Sequence, residues 1–133
     1  MLYEKIDWNN EKECLKAVKQ NSNALKHVKK QTEKICLEAI KRDSWALRHV
    51  KNQTNKICLE TVKQNGRALK FVEKQTEKIC LEAIKQNSWA LEYIKNPTKR
   101  ICLIAIENNP ESIEFVDKNK FPEVWDKYTL QNI

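Results

Sequence analysis

Apolar and polar residues follow one another along this chain in a pattern that returns every 22 residues. In residues 76–97, Ile79, Cys80, Ala83 and Ile84 fall on one arc of a helix at about 100° per residue, which predicts an amphipathic helix. A smaller apolar group follows after a short polar segment and predicts a second helix, so that the two form a helical hairpin. The pattern occurs five times without an insertion, in residues 10–31, 32–53, 54–75, 76–97 and 98–119.

A fixed period of this length is typical of a solenoid, in which each repeat buries its apolar face against its neighbours. We therefore predict an all-α fold, a right-handed αα-solenoid of short helical hairpins, as a single domain over residues 1–133. Residues 1–9 match the second half of a repeat and are predicted to form an N-terminal half-repeat cap, and residues 120–133 a C-terminal capping helix. With two helices of about 9–10 residues in each repeat, the prediction is twelve short helices.

The helix boundaries are marked by residues that can cap a helix N-terminus. A side-chain oxygen of Asn, Asp or Thr at this place accepts a hydrogen bond from a free amide of the next turn. Pro110 follows one such residue directly, and proline is favoured at the first helical position. The expected caps of the first helices are Asn10, Thr32, Thr54, Thr76 and Thr98, and those of the second helices are Asn21, Asp43, Asn65, Asn87 and Asn109.

The five cysteines occupy the same position in the five repeats. Neighbouring helices stack at about 10 Å, whereas a disulfide needs Cα atoms within ~7 Å of each other. Zinc sites use closely spaced ligands, and this chain has no pair of cysteines separated by two to four residues. We therefore expect buried, reduced core residues and no metal or other cofactor. The residues are Cys14, Cys36, Cys58, Cys80 and Cys102.

Composition excludes several classes of function. The chain has one glycine, so a glycine-rich phosphate-binding loop is excluded. Neither His27 nor His49 has a nucleophile and an orienting acid in the same turn, and we expect no enzymatic activity. The chain has no apolar run of roughly 20 residues and does not begin with a signal-peptide pattern. A soluble, intracellular protein that does not enter a membrane is expected.

One surface position varies while its surroundings stay constant. It is occupied in turn by Asn23, Trp45, Arg67, Trp89 and Glu111, and the position four residues later by His27, His49, Phe71, Tyr93 and Phe115. At α-helical spacing each pair lies on one side of its helix, and Trp and Arg are frequent at interface hot spots. In the alternative interpretation, the tryptophans fold back over the adjacent repeat as additional core. The candidate protein-binding residues are Asn23, Trp45, His49, Arg67, Phe71, Trp89 and Tyr93.

The charge is unevenly distributed. Residues 10–75 contain 16 basic and 7 acidic residues, whereas residues 76–119 contain 6 basic and 7 acidic residues. A basic surface can attract nucleic acid, although Glu38 and Glu60 interrupt the lysine rows, as they would on an ordinary solvated surface. The residues of this alternative, nucleic-acid-binding surface are Lys12, Lys19, Lys34, Lys41, Lys56 and Lys63.

Large apolar residues cluster at both ends of the repeat array. They suit the covering of terminal repeats, which would otherwise expose their apolar faces. We expect a monomer or a closed homodimer joined through a terminus, and not an open filament. The leading functional hypothesis is a noncatalytic scaffold that binds a protein partner along the variable row. The end residues are Leu2, Tyr3, Ile6 and Trp8, and Phe121, Val124, Trp125 and Tyr128.

The phrases ICLEAIKQNSWALEYIKNPT and ICLEAIKRDSWALRHVKNQT resemble a tandem helical repeat of unknown function, which is common in proteins of giant amoeba-infecting DNA viruses. The resemblance covers residues 10–119. It implies a viral protein in the cytoplasm of an infected host cell, and it brings no functional residues with it. The fifth repeat departs from the pattern at Ile104, Glu107 and Ser112, where the others mostly have Glu, Lys and Ala.

Overall fold

A computed structural model describes residues 5–131, and every regular element within this range is a helix. Six α-helices alternate with five 3₁₀-helices, numbered here α1 to α6 and η1 to η5. The α-helices form one layer of the molecule and the 3₁₀-helices the other, and each helix packs against its neighbours in both layers. In chain order the elements are α1 Glu11–Gln20, η1 Ser22–His27, α2 Glu33–Arg42, η2 Ser44–His49, α3 Asn55–Gln64, η3 Gly66–Phe71, α4 Glu77–Gln86, η4 Ser88–Tyr93, α5 Lys99–Asn108, η5 Pro110–Phe115 and α6 Pro122–Gln131.

The predicted solenoid of helical hairpins with a 22-residue period is confirmed, but the prediction for the second helices was wrong in type and length. They are 3₁₀-helices of six residues and not α-helices of 9–10 residues. The amide of Val72 donates to the carbonyl of Leu69, three residues back, at 3.0 Å. With three residues per turn, Leu69 and Val72 lie one above the other and both face the core.

One residue both ends each α-helix and starts the following 3₁₀-helix, which explains the short connection. The amide of Asn65 donates to the carbonyl of Thr61 at 2.9 Å, and its side-chain oxygen accepts from the amide of Arg67 at 3.1 Å. Asn65 is extended, with φ −150° and ψ 104°, so the chain turns there without a glycine. The N-caps predicted for both sets of helices are confirmed in all five repeats.

The apolar core is continuous along the stack. In a typical repeat, Ile79, Cys80, Ala83 and Ile84 of α4 are buried and meet the buried Ala and Leu of the 3₁₀-helices. All five cysteines are buried with free thiols, as predicted, and none is more than 4% exposed. Apolar burial of this kind supplies most of the stability of helices that are too short to be stable alone.

The two ends of the array are built differently. Of the predicted N-terminal half-repeat cap, residues 1–9, residues 1–4, including Leu2 and Tyr3, lie outside the described residues. From Lys5 to Asn10 the chain forms turns, and Ile6 and Trp8 pack against the core. At the other end α6 covers the fifth repeat. There Phe121 and Val124 are buried, and the indole N–H of Trp125 donates to the carbonyl of Val116 at 2.9 Å.

Gly66 stands where three other repeats have a buried serine, and the neighbouring repeat explains the difference. A Cβ atom added to Gly66 would clash with the carbonyl oxygen of Ala83 in α4, well inside van der Waals contact. The amide of Gly66 also donates to the side-chain oxygen of Gln86. Glycine at this position therefore permits a close approach of the backbone of α4 to η3.

We predict that Gly66→Ser, which restores the residue of the other repeats, destabilises the protein by about 1–3 kcal/mol, because backbone atoms must move to admit the side chain. Urea unfolding followed by circular dichroism measures this cost. Thr61→Ala is the matched control, since it also restores the repeat pattern but only removes a hydroxyl bonded within its own helix at 2.6 Å. Equal or greater stability of Gly66→Ser would contradict the close approach.

Candidate functional site

The variable row lies on the 3₁₀-helical layer, at the second residue of each 3₁₀-helix. The side chain of the capping residue holds the amide of the row residue, as Asp43 holds Trp45 at 3.0 Å. The flanking Ser44 and Ala46 are buried, so the row residue between them is directed outward. Of the row, Asn23, Arg67 and Glu111 are exposed, while Trp45 and Trp89 are half-buried.

Each of the three central row residues contacts a residue of the next repeat, 26 positions further along the chain. The rings of Trp45 and Phe71 meet edge to face with centroids 5.1 Å apart. Trp89 and Phe115 do the same at 5.5 Å. Between these two ring pairs, a guanidinium nitrogen of Arg67 donates to the hydroxyl of Tyr93 at 3.2 Å.

The expected pairing of residues four apart within one helix assumed an α-helix and is replaced by these contacts between repeats. The half-burial of the tryptophans agrees with the alternative in which they fold over the adjacent repeat, but each ring keeps an exposed part. We call the row from Trp45 to Phe115 the aromatic strip. It comprises Trp45, Arg67, Phe71, Trp89, Tyr93 and Phe115.

Asn23 and His49 lie beyond the N-terminal end of the aromatic strip and are joined through Arg48. One guanidinium nitrogen of Arg48 donates to the side-chain oxygen of Asn23 at 3.3 Å, and its Nε donates to Nε2 of His49 at 3.2 Å. Burial lowers the pKa of His49, and the positive charges of Arg48 and Lys26 lower it further. His49 is therefore a neutral acceptor at neutral pH, as its hydrogen bond requires.

The charges beside the aromatic strip change sign along its length. The residue that precedes the second ring position is basic in the first three repeats and acidic in the last two, and all five are exposed. The Nζ of Lys70 lies 5.9 Å from the ring centroid of Phe71, so this charge lies directly beside the strip. The change of sign at this position can be read from the sequence, but a charge count over whole repeats does not distinguish it from the other charges of each repeat. These residues are Lys26, Arg48, Lys70, Glu92 and Glu114.

The six lysines of the alternative surface are all exposed on the α-helical layer. In each of α1, α2 and α3 they occupy the second and ninth residues, which are two turns or about 10 Å apart on one face. Lys56 is also 3.7 Å from the carboxylate of Glu33, and Glu60 lies with it in a groove between α2 and α3. The surface is therefore basic but interrupted by acidic residues. Its lysines are Lys12, Lys19, Lys34, Lys41, Lys56 and Lys63.

A glutamine at the end of each of the first three repeats bonds that repeat to the next, which sequence analysis did not identify. The Nε2 of Gln53 donates to the carbonyls of Leu47 and Phe71 at 3.4 and 2.9 Å. Its Oε1 accepts from the amide of Glu73 at 3.0 Å and weakly from the thiol of Cys58 at 3.7 Å. Gln31 makes the matching bonds to His49 and Lys51, and Gln75 to Tyr93 and Lys95.

Backbone replaces this glutamine at the N-terminal end of the array. The carbonyl of Trp8 accepts from the amide of Lys29 at 3.4 Å and from the thiol of Cys14 at 3.4 Å, which are the two bonds that a glutamine Oε1 accepts elsewhere. At the other end Pro97 takes the place of the fourth glutamine and has no side-chain donor or acceptor. The glutamine bridges thus join repeats one to four.

Two clefts with volumes of about 330 and 410 Å³ open where connecting segments of neighbouring repeats meet. The first is lined by Cys36 and Ile57, and the second by Cys80 and Ile101, 44 residues further on. The tryptophans of the aromatic strip, Trp45 and Trp89, are separated by the same 44 residues.

Within residues 5–131, no group of three or more His, Cys, Asp or Glu side chains is arranged to hold a metal ion. The same part of the chain contains no helix long and apolar enough to cross a membrane.

The helices and their stacking define the class of this protein as an all-helical tandem-repeat solenoid. A family model described as a domain of unknown function, DUF4116, matches the chain twice in tandem, over residues 10–54 and 55–97. Since the two matches together cover more than half of the chain, the protein belongs to this family. Each match spans about two of the 22-residue repeats, and the fifth repeat lies beyond both. No curated protein and no solved structure matches the chain.

We predict that Gln53→Leu destabilises the protein by about 1–3 kcal/mol, because it leaves the carbonyl of Phe71 and the amide of Glu73 without their partner. Chemical unfolding measures the loss. Gln53→Glu keeps the acceptor but loses the donor, so its stability should lie between that of Gln53→Leu and that of the native protein. Gln20→Leu on the exposed surface of α1 is the control and should change stability by less than about 0.5 kcal/mol. A neutral Gln53→Leu would show that the bridge contributes nothing.

We also predict that the cysteines resist labelling in the native state. Burial raises the pKa of Cys36 and Cys102 to about 11, so at pH 8 each has about 100-fold less thiolate than a thiol with a pKa near 9. Mass spectrometry after treatment with a maleimide should show little modification in buffer and five modifications in guanidinium chloride. Rapid labelling of all five cysteines in the native protein would be incompatible with their burial.

Proposed function

We propose that this protein is a noncatalytic scaffold that binds another protein along the aromatic strip of its 3₁₀-helical layer. The observation that carries the proposal is the cross-repeat row of ring pairs, in which Trp45 and Trp89 are only partly buried and lie on either side of Arg67. Aromatic and arginine side chains that already lie in fixed positions lose little conformational entropy when a partner binds.

The construction of the repeat supports this proposal. The core residues and the capping residues hold each 3₁₀-helix against the next, and the bridging glutamines add bonds between repeats one to four. The row residue takes no part in these bonds beyond its backbone amide. Its side chain can therefore change between repeats without disturbing the framework, as in other solenoids that present an extended binding surface.

Binding of nucleic acid through the α-helical layer is the second candidate. It is favoured by the exposure of the six lysines and by the excess of basic residues in residues 10–75. The ion pair of Lys56 with Glu33 and the presence of Glu38 and Glu60 on the same layer reduce the attraction for phosphate. We therefore place it behind the protein scaffold.

The resemblance of the repeats to those of giant amoeba-infecting viruses suggests where such a scaffold would act. We propose that it is a viral protein of the infected host cell and that its partner is present in that cytoplasm. Proteomic detection of its peptides in infected amoebae, and not in uninfected ones, is the direct test.

We predict that a photo-crosslinking amino acid at Lys70, beside the aromatic strip, captures a protein partner in an infected-cell lysate, whereas the same group at Lys34 on the α-helical layer does not. Both lysines are exposed, so the substitutions should be equally tolerated. Arg67→Glu should weaken this capture about tenfold or more, since reversing a charge at the centre of an interface adds repulsion to the lost contact.

Lys34→Glu provides the same change of charge away from the strip and is the matched control. Capture that is unaffected by Arg67→Glu but abolished by Lys34→Glu would move the site to the α-helical layer. Affinity for duplex or single-stranded oligonucleotides that falls steeply with salt, and falls again in Lys34→Glu, would favour the nucleic-acid candidate.

A further inference from the structure

The aromatic strip has an internal order that indicates the chemistry of its partner. Its two ring pairs, Trp45 with Phe71 and Trp89 with Phe115, occupy equivalent places two repeats apart. The pair between them is polar and consists of Arg67 and Tyr93. An apolar contact surface, a cationic centre and a second apolar contact surface therefore follow one another in a line.

The spacing of this pattern suits an extended polypeptide. Packed helices lie about 8–10 Å apart, so two repeats separate the ring pairs by about 16–20 Å. A chain in the extended polyproline II conformation advances about 3.1 Å per residue and crosses this distance in about six residues, and because it has three residues per turn every third side chain lies on the same side. A carboxylate halfway between two apolar side chains would then reach Arg67. The hydroxyl of Tyr93 orients the guanidinium, which lies at the exposed surface.

The charges beside the strip predict how the partner is oriented along it. The position before each second ring residue carries a positive charge in the first three repeats and a negative charge in the last two, and the row residue Glu111 adds a further negative charge; all of these residues are exposed. An acidic segment is attracted to the first end, and a basic segment to the second. The two sets of residues are Lys26, Arg48 and Lys70, and Glu92, Glu111 and Glu114.

A second copy of the chain fits the strip less well, although its two halves have opposite charges. In a two-fold symmetric pair that joins the basic half of one copy to the acidic half of the other, the axis passes through the third repeat. Arg67 would then face Arg67 of the second copy, and Lys70 would face its own counterpart. Like charges at the centre of an interface oppose association.

We infer that the strip binds an extended protein segment with two aromatic or large aliphatic residues about six positions apart, an acidic residue midway between them, acidic residues over the first repeats and basic residues over the last. The inference rests on the proposed function and specifies the partner of that same surface. Each anchor lies against a ring pair, and the central carboxylate forms an ion pair with Arg67.

Fluorescence anisotropy with labelled synthetic peptides tests this inference on the full-length protein. The probe peptide has two phenylalanines about six positions apart, a central aspartate, glutamates before the first phenylalanine and lysines after the second, and it is made in both chain directions. Control peptides have the same composition in scrambled order, or the phenylalanines about three positions apart. One direction of the probe peptide should bind at least about tenfold more tightly than either control.

Exchanging the charges at the centre of the strip and of the peptide distinguishes a direct contact from a structural effect of the substitution. Arg67→Glu should weaken binding of the aspartate-centred peptide about tenfold or more and should bind a lysine-centred peptide more tightly than the native protein does. Lys34→Glu should leave both affinities unchanged. Equal binding of probe and scrambled peptides, or no reversal by the exchanged charge, overturns the inference.

Sedimentation of the protein alone tests whether a second copy of the chain occupies the strip. A dimer that dissociates in Trp89→Ala would assign the strip to a second copy and would also overturn the inference. If the peptides fail while capture at Lys70 still depends on Arg67, the strip binds a partner of different chemistry and only this inference fails. If capture is also independent of Arg67, the proposed function fails with it.

Discussion

The packing and hydrogen bonding of each repeat against the next are the constraint on which this structure depends. A ten-residue α-helix and a six-residue 3₁₀-helix are too short to persist alone, so each repeat is stable only against its neighbours. Apolar burial holds neighbouring repeats together but does little to fix their relative orientation. Gln31, Gln53 and Gln75 fix this orientation, because their side-chain amides bond to main-chain groups of the next repeat at 2.8–3.0 Å. No apolar residue could satisfy those groups.

The same constraint explains how the array is bounded. At the N-terminal end the carbonyl of Trp8 accepts the bonds that a glutamine accepts elsewhere, so the first repeat is held as though another preceded it. After the fourth repeat Pro97 ends the series of bridges. The fifth repeat is instead held between the fourth and α6, where Phe121 and Val124 are buried and the indole of Trp125 bonds to a main-chain carbonyl.

A framework held in this way leaves several side chains in each 3₁₀-helix free to vary, among them the row residue. The row residue keeps the same partner position in the next repeat, since Trp45, Arg67 and Trp89 each meet the residue 26 positions further along. Whether that contact joins two rings or a guanidinium and a hydroxyl makes no difference to the core beneath it. Chemical variety and structural regularity can therefore coexist on one surface.

The sequence by itself determined the features that act over a few residues: the 22-residue period, both sets of N-caps and the burial of the cysteines. Capping and amphipathic spacing are local rules, so they can be recognised without the fold. Only the tertiary structure decided what depends on the neighbouring repeat. A capping residue and a connecting segment limit the second helix to two 3₁₀ turns, and this is why Trp45 meets Phe71 and not His49. Likewise, Gly66 is required by the carbonyl of Ala83 on the adjacent helix, a contact between residues that no local rule connects.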